Sequence, residues 1–136
     1  MSQPTETPAL ALVRNRGEYW VYRFDSIGTE LVTHLGQLDR SKFWSLTSTA
    51  DEVSLVSPRL IGHQATAEEG PWALFHVAGT LDFSLTGILN ALTDPLTRVG
   101  VSVFAVSTFD TDYLMVTSSQ AADAEDAWRS AGVTVT

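Results

Sequence analysis

Residues Val103 to Val116 (VFAVSTFDTDYLMV) restrict the possible folds more than any other part of the chain. Two apolar, β-favouring runs enclose a polar stretch of Ser, Thr and Asp, which predicts two antiparallel strands joined by a tight turn. No Gly or Pro interrupts the segment. The turn gathers backbone N–H groups, hydroxyls and two carboxylates, Asp110 and Asp112, at one place on a hairpin. Such a place suits a small zwitterion. N–H groups meet a carboxylate, and an aspartate meets an ammonium or guanidinium.

The flanking sequence extends this hairpin into a longer pattern. Trp72 to Val77 reads as an apolar strand and Ala78 to Ser84 as a loop. Leu85, Leu89, Leu92, Leu96 and Val99 then recur at the spacing of one helical face. Pro95 lies inside that pattern and predicts a kink or a restarted helix, because it lacks a backbone donor. Gly100 is a helix stop. After the hairpin, Ser118 or Ser119 can cap a helix of about Ala121 to Ser130, whose early acidic residues suit the helix dipole. Gly132 ends it, and Val133 to Val135 can close a sheet. The second half therefore reads β-α-β-β-α-β, an α+β, ferredoxin-like antiparallel sheet with two helices on one face.

The first half repeats part of this. Ala9 to Val13 is a short apolar run, and Tyr19 to Phe24 has strand composition. Phe43 to Thr47 and Val53 to Val56 flank a turn over Ser48 to Glu52. Leu60 to Pro71 carries Gly, Glu and Pro and reads as a linker. Phe43 to Val56 (FWSLTSTADEVSLV) aligns without gaps on Val103 to Val116, placing Thr47-Ser48 on Ser107-Thr108 and Glu52 on Asp112. Upstream, Trp20-Val21 resembles Trp72-Ala73. The shorter spacing from Trp20 to Trp44 than from Trp72 to Phe104 suggests a degenerate first copy with a trimmed first helix. The expected organisation is a disordered tail over residues 1–8, a degenerate module over 9–66 and a full module over 67–136.

Composition narrows the function. A chain of 136 residues with 44% hydrophobic content can build one compact core, or two small modules that share one. No apolar run is long enough to span a membrane. Met1 to Pro8 lacks the basic and apolar regions of a signal peptide, and the chain has no Cys, so the expected location is cytoplasmic. The net charge is −8 and the eight Lys and Arg residues are scattered, so no nucleic-acid partner is expected. His34, His63 and His76 lack metal-ligand spacing. Trp20, Trp44, Trp72 and Trp128 are expected in the core. Asp110 and Asp112 could share one strand face as an acid–base pair, but no nucleophile or oxyanion group accompanies them. The chain therefore reads as a non-enzyme without cofactor or metal.

Gly70 to Trp72, Gly79 to Leu89 (GTLDFSLTGIL) and Ser107 to Tyr113 (STFDTDY) resemble the ACT domain. More narrowly, they resemble its tandem branch, which includes bacterial small ACT proteins and the CASTOR-type arginine sensors. The resemblance covers the second half well and the first half loosely. It implies two βαββαβ modules, the first degenerate, and an amino acid bound between ACT modules. It also implies a ligand site in two parts: Asp82, Ser84 and Gly87 on the loop after the first strand, and Thr108, Phe109, Asp110 and Asp112 on the turn. The aspartate matching Asp112 contacts the ligand's polar groups in that branch. The sensors have four ACT modules and this chain about two, which implies a homodimer.

Plainer readings of the same residues stay open. Asp110 and Asp112 can simply form a solvated turn, Gly87 can be a helix-packing glycine, and Asp82 and Ser84 can cap a helix. The expected function is a regulatory sensor of a free amino acid or related metabolite, with a regulated protein partner. The alternatives are a dimerisation or interaction module with a vestigial site, and a detached regulatory subunit of an amino-acid biosynthetic enzyme.

Overall fold

The computed structural model describes residues 9–79 and 86–136. The Met1 to Pro8 tail, and Asp82 and Ser84 of the candidate site, lie outside the described residues. The elements in chain order are β1 (Ala11–Arg14), β2 (Tyr19–Phe24), α1 (Thr29–Gln37), β3 (Ser45–Ser48), β4 (Val53–Ser57), β5 (Ala67–Val77), α2 (Ile88–Arg98), β6 (Phe104–Ser107), β7 (Asp112–Thr117), α3 (Ala121–Ser130) and β8 (Thr134–Val135). They fall into two units. One is discontinuous, combining the chain up to Arg16 with Ala73–Thr136. The other is contiguous, Gly17–Trp72. The boundary expected between residues 66 and 67 marks the start of β5, whereas the structural division falls within that strand and gives β1 to the second half.

In the discontinuous unit the strand order is β6-β7-β5-β1-β8. Strand β1 lies antiparallel to β5, with Leu12 opposite Val77, and parallel to β8, with Leu12 opposite Val135. Alternation explains its burial: Leu10 and Leu12 face the core, and Leu12 is fully buried. The helices add the stripes Ile88, Leu92, Leu96 and Ala121, Ala124, Trp128. Trp128 is the centrepiece. Its indole N–H donates to the Leu92 carbonyl at 2.7 Å, and its ring meets Phe75 edge-on at 4.9 Å. A buried indole needs such a partner.

In the contiguous unit the order is β3-β4-β2-β5, each neighbouring pair antiparallel. Tyr22, Phe24, Leu31, Val53, Leu55 and Leu60 form its core. No helix joins β4 to β5. The connecting residues 58–66 are instead pinned by hydrogen bonds. The Leu60 N–H donates to the Tyr22 hydroxyl at 2.9 Å, the Gln64 N–H to Glu30 at 2.6 Å, and the Thr66 N–H to the Arg23 carbonyl at 2.8 Å. Burial raises the Tyr22 hydroxyl above its ordinary pKa, and the Leu60 N–H opposes that rise.

Several expectations need correction. Ala67 to Pro71 is strand, not linker: it pairs with β2 through its backbone while its side chains stay exposed. Gly70 is required there, because a Cβ at this position would fall inside the Trp20 indole. Helix α1 stands between β2 and β3 and is shorter than α2, with 9 residues against 11, while no helix lies between β4 and β5. The ungapped repeat is one residue out of step. Ser48 pairs with Val53 and Ser107 with Asp112, so Val53, not Glu52, is the counterpart of Asp112. A one-residue slip sends every side chain to the opposite face. Helix α2 runs from Ile88 through Pro95 to Arg98, held by Leu92 and Leu96, both fully buried. A 3-10 turn over Ser118–Gln120 precedes α3, and no side chain caps that helix. Among the tryptophans only Trp128 is fully buried, while Trp44 is 39% exposed.

Candidate functional site in the second hairpin

Strands β6 and β7 place the candidate residues around one turn. The Thr108 N–H donates to the Thr111 carbonyl at 2.8 Å. The Thr108 hydroxyl donates to the same carbonyl at 3.0 Å and accepts from the Thr111 N–H at 3.2 Å. A threonine hydroxyl can both donate and accept, so one side chain closes the turn without Gly or Pro. The Thr111 hydroxyl donates to the Val77 carbonyl at 3.0 Å and ties the turn to the end of β5. Phe109 stands at the tip, 80% exposed, with Asp110 exposed beside it.

Asp112 begins β7 and is half-buried. Its carboxylate accepts the Ser107 hydroxyl across the hairpin at 2.6 Å. Leu114 and Val116 belong to the core under the helices, so Asp112, in the same alternation, lies on the helix side of the sheet. Among the described residues neither Asp110 nor Asp112 has an ion-pair partner, so both keep acceptor capacity for a cation.

Gly87 is the N-cap of α2, with φ of 80°, a left-handed conformation that strains other residues. Among the described residues no side chain caps this end, and no acidic residue occupies its first turn. The connection leading to Gly87 leaves β5 at Val77, the residue that Thr111 grips. The structure thus brings Thr108, Phe109, Asp110 and Asp112 onto one turn, and ties that turn to the end of β5 from which the chain runs to Gly87. Sequence reasoning missed Ser107 and Thr111 as supports. Their signal was present: two threonines three residues apart at a strand junction, with a hydroxyl facing a carboxylate.

The first hairpin uses the same device. Thr49 bonds the Glu52 carbonyl through its N–H at 2.9 Å, and its hydroxyl accepts the Glu52 N–H at 3.1 Å. Here, however, a cation of the chain itself is present. The Arg23 guanidinium donates to the Asp51 carbonyl at 3.1 Å and lies 3.5 Å from Asp25 and 4.0 Å from Glu52.

Residues 68–130 match the ACT domain family, a span that holds α2, the second hairpin and α3. An ACT domain is a regulatory domain, and ACT domains generally bind amino acids. The chain is similar to a solved protein of Agobacterium tumefaciens, with 29% identity and a TM-score of 0.81 over 96% of this chain and 94% of that one. A Vibrio cholerae protein described as of unknown function, and as a possible transport protein, is similar at 16% identity and a TM-score of 0.69, over 91% of each chain. The aspartate kinase of Clostridium acetobutylicum, described as an allosteric enzyme, is similar at 18% identity and a TM-score of 0.60, over 90% of this chain and 34% of that one. No curated protein sequence matches. Among the described residues no helix is long and apolar enough to cross a membrane, and no group of three or more His, Asp or Glu side chains could hold a metal ion.

Proposed function

We propose that this chain is a regulatory protein that binds a free amino acid, or a related small metabolite, at an ACT–ACT interface completed by a second copy. In this reading it carries two ferredoxin-like ACT modules, the first degenerate through loss of a helix, as in the tandem branch that includes the CASTOR-type sensors. The ligand carboxylate meets N–H groups near Asp82, Ser84 and Gly87 or at Thr108 and Phe109. Its cationic group meets Asp112, with Asp110 beside it. The observation that carries the reading is the second hairpin: two carboxylates that have no ion-pair partner among the described residues, on a turn inside the ACT-matching span. Arg23 at the first hairpin supports the cationic preference, because a turn of the same construction there accepts a guanidinium.

A homodimer follows from the same reading. Among the described residues strand β6 pairs with β7 alone, and its sequence FAVS carries no charge or Pro to blunt its outer edge. A two-fold pairing would cover that edge in both copies.

The test is a thermal-shift screen with the twenty amino acids, followed by calorimetry on the one that stabilises the protein. A charge-assisted hydrogen bond contributes about 1.5–3 kcal/mol, so Asp112→Ala is expected to weaken binding roughly ten- to a hundredfold. Glu52→Ala is expected to leave affinity unchanged. Equal affinity for wild type and a folded Asp112→Ala removes Asp112 from the site. A screen in which no amino acid shifts the melting temperature favours the alternative, an interaction module that uses the β6 edge without a ligand.

A further inference from the structure

The outer surface of the helix layer carries a feature that the second hairpin does not use. An open groove of about 560 Å³ runs between the end of α2 and α3. Pro95, Val99, Ala127 and Ala131 give it an apolar lining, and Val99 is 56% exposed. Asp123 and Asp126 line it from α3, and among the described residues neither has an ion-pair partner. Other charges nearby are engaged: Asp94 pairs with Arg98 at 3.0 Å, and Glu125 with Arg14 at 3.6 Å. The groove therefore joins an apolar floor to a net negative rim. Small side chains on α3 leave room for another backbone to come close.

We propose that this groove docks a basic, amphipathic helical segment of a partner protein, with an aliphatic side chain over Val99 and Arg or Lys against Asp123 and Asp126. A helix laid in a hydrophobic groove recognises its host through anchors at helical spacing, and the charged rim selects its sign. A second copy of this chain does not fit that chemistry. The chain carries a net charge of −8, and a self-paired groove would bring its unpaired aspartates against their own copies. The groove lies at the C-terminal end of α2, whereas Gly87 caps the other end. The proposal does not depend on the hairpin site.

The probe is a fluorescein-labelled peptide of about 14 residues with Leu at helical spacing and Arg elsewhere, followed by fluorescence anisotropy. Two control peptides replace Arg by Glu, or Leu by Gln. The full chain is expected to bind the Leu/Arg peptide saturably and neither control. The double variant Asp123→Lys/Asp126→Lys, and separately Val99→Asp, should each weaken binding about tenfold or more. Asp51→Lys/Glu69→Lys changes net charge by the same amount at residues that do not line the groove and should keep full affinity, as should Asp112→Ala. Absence of binding overturns the proposal. So does equal weakening by the two lysine pairs, or equal binding of the Gln/Arg peptide, since either reduces the effect to bulk charge. If Asp123→Lys/Asp126→Lys alters the sedimentation of the protein alone, the groove is a self-interface and the proposal also fails. Circular dichroism confirms that each variant is folded.

Discussion

The two hairpins share a turn and differ in what the turn faces. In both, a threonine bonds the residue three positions on with its backbone and its hydroxyl. The first turn meets the Arg23 guanidinium, supplied from β2 of its own unit. The second presents Asp110 and Asp112 without an ion-pair partner among the described residues. At the strand position where the second hairpin has Asp112, the first has buried Val53. One turn is thus met by a cation of its own unit, while the other keeps two carboxylates that no cation meets among the described residues. The difference teaches that two hairpins can share a turn while one strand position sets whether an apolar or a carboxylate side chain stands beside it.

The comparison extends to the cores, where it can be broken most easily. Trp128→Ala should cost about 3–5 kcal/mol, because it deletes the largest fully buried side chain together with its hydrogen bond to the Leu92 carbonyl. Leu31→Ala in the contiguous unit should cost about 2–5 kcal/mol. Urea unfolding followed by circular dichroism measures both, and a larger loss for Leu31→Ala would reverse the ranking of the two cores.

Tyr22→Phe comes next, at about 1–3 kcal/mol, since it strips the buried Leu60 N–H of its acceptor. The same group sets a pH dependence. Its pKa is raised above the ordinary 10.0, so below that value both folded and unfolded Tyr22 are neutral and its contribution is complete. Above it the unfolded chain ionises first, and stability falls until the folded hydroxyl ionises too. Wild type should lose stability in that alkaline window, and Tyr22→Phe should lose less across it. Identical alkaline slopes would mean that burial does not hold this hydroxyl above its ordinary pKa.

Thr49→Val and Thr108→Val should each cost about 0.5–1.5 kcal/mol and resemble one another, because the two hydroxyls do equivalent jobs. Unequal losses would show that the shared turn hides different energetics. Smallest is Arg23→Ala, about 0.2–1 kcal/mol, since the guanidinium is roughly half exposed and screened by water. Salt should shrink that loss further.

How much of this was legible in the sequence follows from which contacts are local. Helix α3 spans the expected Ala121 to Ser130, and both hairpins fall where apolar runs flank polar turns. The α2 stripe was legible only in part. Leu92 and Leu96 are fully buried, but Leu89 and Val99 face outward and Ile88 takes the inner place. Periodicity counts apolar residues without knowing which of two adjacent stripes meets a core. Strand Ala67 to Pro71 was hidden because its pairing is made by the backbone, while Glu68, Glu69, Gly70 and Pro71 advertise a loop. The true register sets Ser48-Thr49 on Ser107-Thr108 and Asp51 on Asp110, so it was legible in the turn residues, and aligning the outer apolar runs without the strand pairing misses it. Of the candidate site, the turn residues were readable by type. The Ser107–Asp112 bond required the true strand pairing.

The placement of β1 has a consequence for the order in which the molecule can assemble on a ribosome. Its parallel partner β8 is translated only after about 120 further residues, roughly 6–24 s at about 5–20 residues per second. Until then Leu10 and Leu12 have no complete core to enter, and bringing the two strands together closes a long loop at an entropic cost. The contiguous unit has no such wait, because every strand pairing of its sheet is made by residues within Gly17–Trp72. A nascent chain should therefore acquire protease protection over Gly17–Trp72 before β1, which waits for β8 to complete its pairing.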